Sequence, residues 1–166
     1  MNTTDIEIAI ADIFNPRVNI IVPNVSWGLG LHECDVLILT KSGYAYEVEI
    51  KISRADLKKD LNKAHMHKSN RIRGLWFALP QQLLKHMNLI PSNAGIISVS
   101  SPEADAFYPK FERRPTLNID AKQFTREEIV KLIHLASMRI WPMKKRLRER
   151  CWEIEKLQKN LPILRP

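Results

Sequence analysis

The feature that most constrains this chain is a pair of short apolar segments that carry charge where charge is costly. Glu33-Cys34-Asp35-Val36-Leu37-Ile38-Leu39 has an acidic beginning and an apolar, β-branched body. Tyr44 to Ile52 returns with Glu47, Glu49 and Lys51 interleaved with Val48, Ile50 and Ile52. Lys41-Ser42-Gly43 between them is a glycine-containing turn, so the pair predicts an antiparallel hairpin. Strand side chains alternate between faces. Glu47, Glu49 and Lys51 therefore share one face of the return strand, and Glu33 and Asp35 share a face with Leu37 and Leu39. If the two charged faces coincide, four carboxylates and one ammonium gather at one end of the ribbon.

Such crowding calls for a cation. Two carboxylates about 4 Å apart repel by roughly 4 kcal/mol at an effective dielectric of 20. A hard dication such as Mg²⁺ removes that penalty, because it takes oxygen ligands and needs only one or two protein carboxylates. It also makes a bound water easier to deprotonate, and a neighbouring lysine can orient that water or stabilise developing negative charge. The acid-x-Lys triplet is not informative alone, since it also occurs as Asp56-x-Lys58 and Asp120-x-Lys122. Those two fall at a helix start and in a loop. Only Glu49-x-Lys51 lies on an apolar strand, where Glu and Lys are poor residents. The bland alternative is a structural Lys–Glu pair at a sheet end.

The remaining elements follow from periodicity and capping. Ile6, Ala9, Ile10, Ile13 and Phe14 recur at helical spacing, Thr4 with Glu7 suggests a capping box, and Asn15-Pro16 ends that helix. Val18 to Val25 predicts a strand, and Trp27 to Gly30 a turn. Ser53-x-x-Asp56 opens a helix to about His67. Leu75 to Leu79 is a buried strand, Gln81 to Met87 a short helix, Gly95 to Val99 a strand and 106–113 an edge strand. From Thr125 the pattern is helical, with a break or restart expected at Pro142. The order α-β-β-β-α-β-α-β with a helical last third predicts a mixed α/β layer fold.

Composition narrows the partners. The chain has 166 residues, 45% of them hydrophobic, which suits one globular domain with or without a helical appendage. Lys and Arg number 26 against 18 Asp and Glu, for a net charge of +8. That makes a polyanion the first partner to consider. Cys34 and Cys151 are 117 positions apart, so neither a disulfide framework nor a zinc motif is indicated. A reducing, cytoplasmic setting is expected. Asp5, Glu7 and Asp12 interrupt the N-terminal apolar residues, which argues against a secretory signal, and no run approaches a membrane span.

Asp35, a hairpin and Glu49-Ile50-Lys51 on the next strand resemble the PD-(D/E)XK nuclease pattern of acid, spacer and acid-x-Lys. Over about residues 5 to 115 the chain is also similar to the bacterial MmcB-like DNA-repair family. The similarity lies in Glu33-Cys34-Asp35-Val36-Leu37-Ile38, Glu47-Val48-Glu49-Ile50-Lys51, Ser53-Arg54-Ala55-Asp56-Leu57, Trp76-Phe77-Ala78-Leu79-Pro80 and Ile90-Pro91-x-x-Ala94-Gly95-Ile96-Ile97. The chain departs from that family at Glu33, where a basic residue is usual, and at Lys63 to His67, where an aromatic-bearing helix is usual.

The resemblance implies a restriction-endonuclease-like core (αβββαβ), a mixed central sheet flanked by helices, over residues 1–115. A basic helical extension would occupy 116–166. The resemblance further implies a metal-dependent DNA nuclease. Mg²⁺ or Mn²⁺ would be held by Asp35, Glu49 and the Ile50 carbonyl, with Lys51 as the catalytic lysine. Many relatives add a glutamate from the first helix, here Glu7; Glu33 and Glu47 are further candidate acids.

Two basic runs would hold the nucleic acid. Arg54, Lys58, Lys63 and His67 belong to the first, and Lys144, Lys145, Arg146 and Arg148 to the second. A charge run is ordinarily a solvated helix face. The second run, however, accompanies an apolar stripe of Met143, Leu147, Cys151, Ile154 and Leu157, which predicts a helix that docks on something and lays its basic face along phosphates. His65 and His67 are at i, i+2 on a helix and so suit one ion poorly. The tryptophans are expected mostly in the core, with Trp27 the candidate for base stacking. The expected substrate is duplex, single-stranded or branched DNA. A DNA-repair protein or a second copy of the chain would be a further partner, and no membrane is involved. The alternatives are a non-catalytic DNA-binding or scaffold protein that keeps the nuclease fold, and a nuclease that acts on RNA.

Overall fold

The computed structural model describes residues 1–25, 29, 31–60, 69–103 and 106–160. Helix α1 spans Thr3–Phe14, followed by strands β1 (Ile20–Val25), β2 (Cys34–Leu39) and β3 (Ala45–Ile50). Helix α2 (Arg54–Asp60) leads to β4 (Ile72–Pro80), and a 3₁₀ helix over Gln81–Leu89 leads to β5 (Gly95–Ser100). Strand β6 (Tyr108–Arg113) and a 35-residue helix α3 (Arg126–Asn160) follow. The strands form one six-stranded mixed sheet in the order β1-β2-β3-β4-β5-β6, with β6 at an edge as expected.

Connection length decides direction within the sheet. The short turn through Gly43, whose φ is +79°, folds β3 back antiparallel to β2. The α2 and 3₁₀ crossovers are long enough to carry the chain back, so β3, β4 and β5 run parallel. The carboxyl ends of β3 and β4 therefore lie side by side, the edge at which open α/β sheets commonly bind ligands. The start of β2 sits at the same edge because β2 is antiparallel to β3.

Helices cover both faces. Ile6, Ala9 and Ile10 of α1 pack on Val36, Ile38, Val48, Trp76, Ala78 and Ile97. Burying each isoleucine contributes about 1.5–3 kcal/mol, so α1 is held by its apolar stripe more than by helix propensity. On the other face Leu132 and Leu135 of α3 join Phe124, Leu37, Leu39 and Ala45, while Leu57 of α2 packs with Phe77, Leu79, Ile90 and Ile96. The segment after Pro115 is stitched across the sheet by backbone bonds from Thr116 to Asn93, Asn118 to Arg73, Lys122 to Asn70 and Phe124 to Gly43.

Several local expectations change. The N-cap of α1 is Asn2, which forms the capping box with Asp5, so Glu7 is not used as a cap. Strand β1 starts at Ile20, two residues later than its β-branched run suggested. Helix α2 is described to Asp60, with Ser53 Oγ accepting from the Asp56 N–H; its expected continuation to His67 lies outside the described residues. Helix α3 runs unbroken through Pro142. A proline removes the bond to the carbonyl four residues back, and Met138 is 48% exposed, so water can take its place. Of the tryptophans within the described residues only Trp76 is buried. Trp141 and Trp152 stand exposed on α3, covered by the Lys144 and Arg148 cations. Trp27 lies outside the described residues.

Candidate active site

The site is built by the β2–β3 register. Val36 stands opposite Val48 and Leu37 opposite Glu47. The β2–β3 ladder ends at that Val36–Val48 pair, so Asp35 lies just past it, near the carboxyl end of β3. A direct bond fixes the arrangement: Asp35 Oδ2 accepts the Ile50 backbone N–H at 2.8 Å. That bond sets the Asp35 carboxylate against the backbone of Ile50, the residue after Glu49.

Lys51 follows the end of β3, its own N–H bonded to the Ala78 carbonyl at 2.9 Å. Its Nζ lies 2.6 Å from Glu49 Oε2 and 5.7 Å from the centre of the Phe77 ring. Glu49 is 1% exposed and Lys51 6%, so the charges sit in a setting where surface residues of these types are rarely found. Asp35 is half-buried.

The additional acids divide. Glu47 is fully buried, with Oε1 2.8 Å from His32 Nε2. Glu33 precedes β2 and is exposed, the β1–β2 ladder closing at Cys34, opposite Val25. Glu7 comes to the site from α1. Burial raises its pKa above the ordinary glutamate range; the Asn24 amide, 3.5 Å away, opposes the shift, the Asp35 charge adds to it and Arg139 opposes it.

That corner also depends on residues sequence reading did not single out. Asn24 adopts φ +53° within β1, a conformation asparagine tolerates better than most residues. Its carbonyl accepts from Arg139 of α3 and its amide reaches Glu7. A groove of about 800 Å³ opens beside it, lined by Thr4, Glu7, Asn24, Arg139, Met143 and Arg146 among others. His32 and Cys34, unremarkable by spacing, stand beside Glu47, with one ligand atom from each of the three within 4.8 Å of the others.

The basic candidates lie on two helices. Arg54 and Lys58 are exposed on α2, and Lys144, Lys145, Arg146 and Arg148 are exposed on α3. Lys63 and His67 lie outside the described residues. From Ile140 to Gln158 every residue of α3 is exposed, including Met143, Leu147, Ile154 and Leu157. The apolar stripe expected to dock on something is therefore uncovered among the described residues. No helix among them is long and apolar enough to cross a membrane.

No family model and no curated protein matches the chain. Among solved structures it is similar to the SPO1766 protein of unknown function from Silicibacter pomeroyi. The TM-score is 0.60 at 17% identity, with 99% of this chain and 98% of that one covered. At that identity the likeness establishes a shared α/β fold over the whole described architecture.

Proposed function

We propose that the protein is a metal-dependent phosphodiesterase of the PD-(D/E)XK type acting on DNA, with a restriction-endonuclease-like core built from α1, β1–β3, α2 and β4. The observation that carries the reading is the pairing of Asp35 with the Ile50 N–H beside Glu49, with Lys51 next to Glu49. The donor set fits the metal: two carboxylates and the Ile50 carbonyl are all oxygen, the preference of Mg²⁺ and Mn²⁺. When bound, such an ion would acidify a water and offset charge on the phosphodiester. The residues then divide the work. The Ile50 N–H holds the Asp35 carboxylate in orientation, and Lys51 brings an ammonium to the edge where the attacked phosphate would lie. Arg54 and Lys58 on α2, and Lys144, Lys145, Arg146 and Arg148 on α3, would carry the backbone phosphates.

A second reading has its own support. The short, nearly fully buried Glu49–Lys51 pair is also what a non-catalytic DNA-binding protein would keep for stability. One set of assays separates the two. Cleavage of supercoiled, single-stranded and branched DNA, beside a matched RNA hairpin, is measured with Mg²⁺, Mn²⁺ or EDTA. The nuclease reading expects metal-dependent cleavage lost in Asp35→Ala and Lys51→Ala. Cleavage that survives both substitutions refutes the site. Salt-dependent binding with no cleavage of any substrate favours the second reading. In either case Lys144→Ala is expected to weaken DNA binding without regard to sequence and to lower the salt slope by about 1.

A further inference from the structure

The start of β2 gathers a second set of ligand-bearing side chains beside the Asp35–Glu49 pair. His32, Cys34 and Glu47 each offer one ligand atom, all within 4.8 Å of one another. His32 Nε2 is 2.8 Å from Glu47 Oε1, and Cys34 Sγ donates to the His32 carbonyl at 3.4 Å. Cys34 and Glu47 are 0% exposed, and the His32 side chain 12%. Spacing brings only His32 and Cys34 together. Glu47 stands opposite Leu37 in the β2–β3 ladder, and the segment before β2 brings His32 to its Oε1.

The chemistry of this trio differs from that of its neighbour. Thiolate, imidazole and carboxylate form a borderline-soft set that suits Zn²⁺ or Co²⁺ and not Mg²⁺. With bond lengths of about 2.0–2.3 Å, the ligand atoms of a tetrahedral zinc site stand about 3.3–3.6 Å apart. The separations in the trio, all within 4.8 Å, exceed that by at most about 1.2–1.5 Å.

We propose that His32, Cys34 and Glu47 form a three-ligand site for Zn²⁺ or a similar first-row dication, separate from the Asp35–Glu49 centre. The site ties the segment before β2 to the middle of β3 and leaves a fourth position for water or another ligand. On loading, the Cys34 thiol proton leaves to solvent. The proton on the His32 nitrogen facing Glu47 moves to the other ring nitrogen or to solvent, and the sulfur, nitrogen and oxygen lone pairs turn to the ion. Affinity therefore falls as pH falls. This site does not rest on the nuclease reading.

The test is a Co²⁺ titration of the metal-stripped 166-residue protein, with and without excess Mg²⁺. One equivalent of Co²⁺ is expected to bind, with a thiolate-to-cobalt charge-transfer band and the visible bands of tetrahedral cobalt. Excess Mg²⁺ leaves these bands in place and Zn²⁺ abolishes them. Cys34→Ser loses the charge-transfer band, and His32→Gln weakens binding by more than about 100-fold, beyond the loss typical of an outer-shell change. Asp35→Asn and Cys151→Ser, the latter at the exposed cysteine, keep the band. The absence of a charge-transfer band in the unsubstituted protein overturns the proposal whatever the variants do. So does a band that survives Cys34→Ser, or one that Asp35→Asn removes.

Discussion

Replacing Lys51 by methionine keeps the aliphatic stem and removes the ammonium 2.6 Å from Glu49 Oε2. With Glu49 1% and Lys51 6% exposed, this is a buried pair. Breaking such a pair by deleting one partner costs about 3–5 kcal/mol, against about 0–1 kcal/mol for an exposed pair. In a chain of this size each kcal/mol moves Tm by about 2–4 °C, so a fall of roughly 6–20 °C is expected. Thermal and urea unfolding in EDTA at fixed pH measures it. Glu49→Gln and the double variant close a mutant cycle whose coupling should exceed about 1 kcal/mol. Repeating the cycle in Mn²⁺ links the pair to the proposed centre. A dication beside Glu49 supplies the positive charge that the substituted side chain lacks, so Lys51→Met should gain more stability from Mn²⁺ than the unsubstituted protein does. A loss below about 1 kcal/mol in EDTA, with additive single substitutions, would refute the claim that the two charges depend on each other.

Two further outcomes follow from the same geometry. Because burial raises the Glu7 pKa, the folded state keeps that proton to higher pH than the unfolded chain. Stability therefore falls as pH rises from the ordinary glutamate pKa through the folded value. Glu7→Gln should flatten that slope in urea unfolding and be neutral or stabilising near pH 7. Gly95→Ala would place a Cβ 2.8 Å from Cδ2 and Cζ3 of Trp76, which is 3% exposed and wedged against Phe14 and Phe111. Overpacking of this kind costs about 1–3 kcal/mol, read by urea midpoint and by Trp76 fluorescence; an unchanged midpoint would show that the indole can move.

The sequence alone determined the hairpin and the alternation of helices and strands around one sheet. These are local matters: the Gly43 turn, the two-residue alternation of Val48 and Ile50 with Glu47 and Glu49, and the helical spacing of Ile6, Ala9 and Ile10 each act within a few residues. Choices between competing local signals were less legible. Thr4 with Glu7 and Asn2 with Asp5 both satisfy capping chemistry, and the structure uses the second. Pro142 signals a helix break, yet solvent beside Met138 can satisfy the freed carbonyl. Trp141 and Trp152 suggest a core, but both stand exposed on α3.

Only the tertiary structure decided which distant groups meet. Glu7 reaches Asn24 and feels Arg139 because α1 and α3 cover opposite faces and converge at the end of β1. Glu47 meets His32 because the segment before β2 returns to β3, a neighbourhood that spacing along the chain does not reveal. Periodicity says which side of an element a residue occupies. Which side chain of another element stands opposite is settled by ladder pairing and by the packing of helices on the sheet, where burial and hydrogen bonding act between residues far apart in the chain.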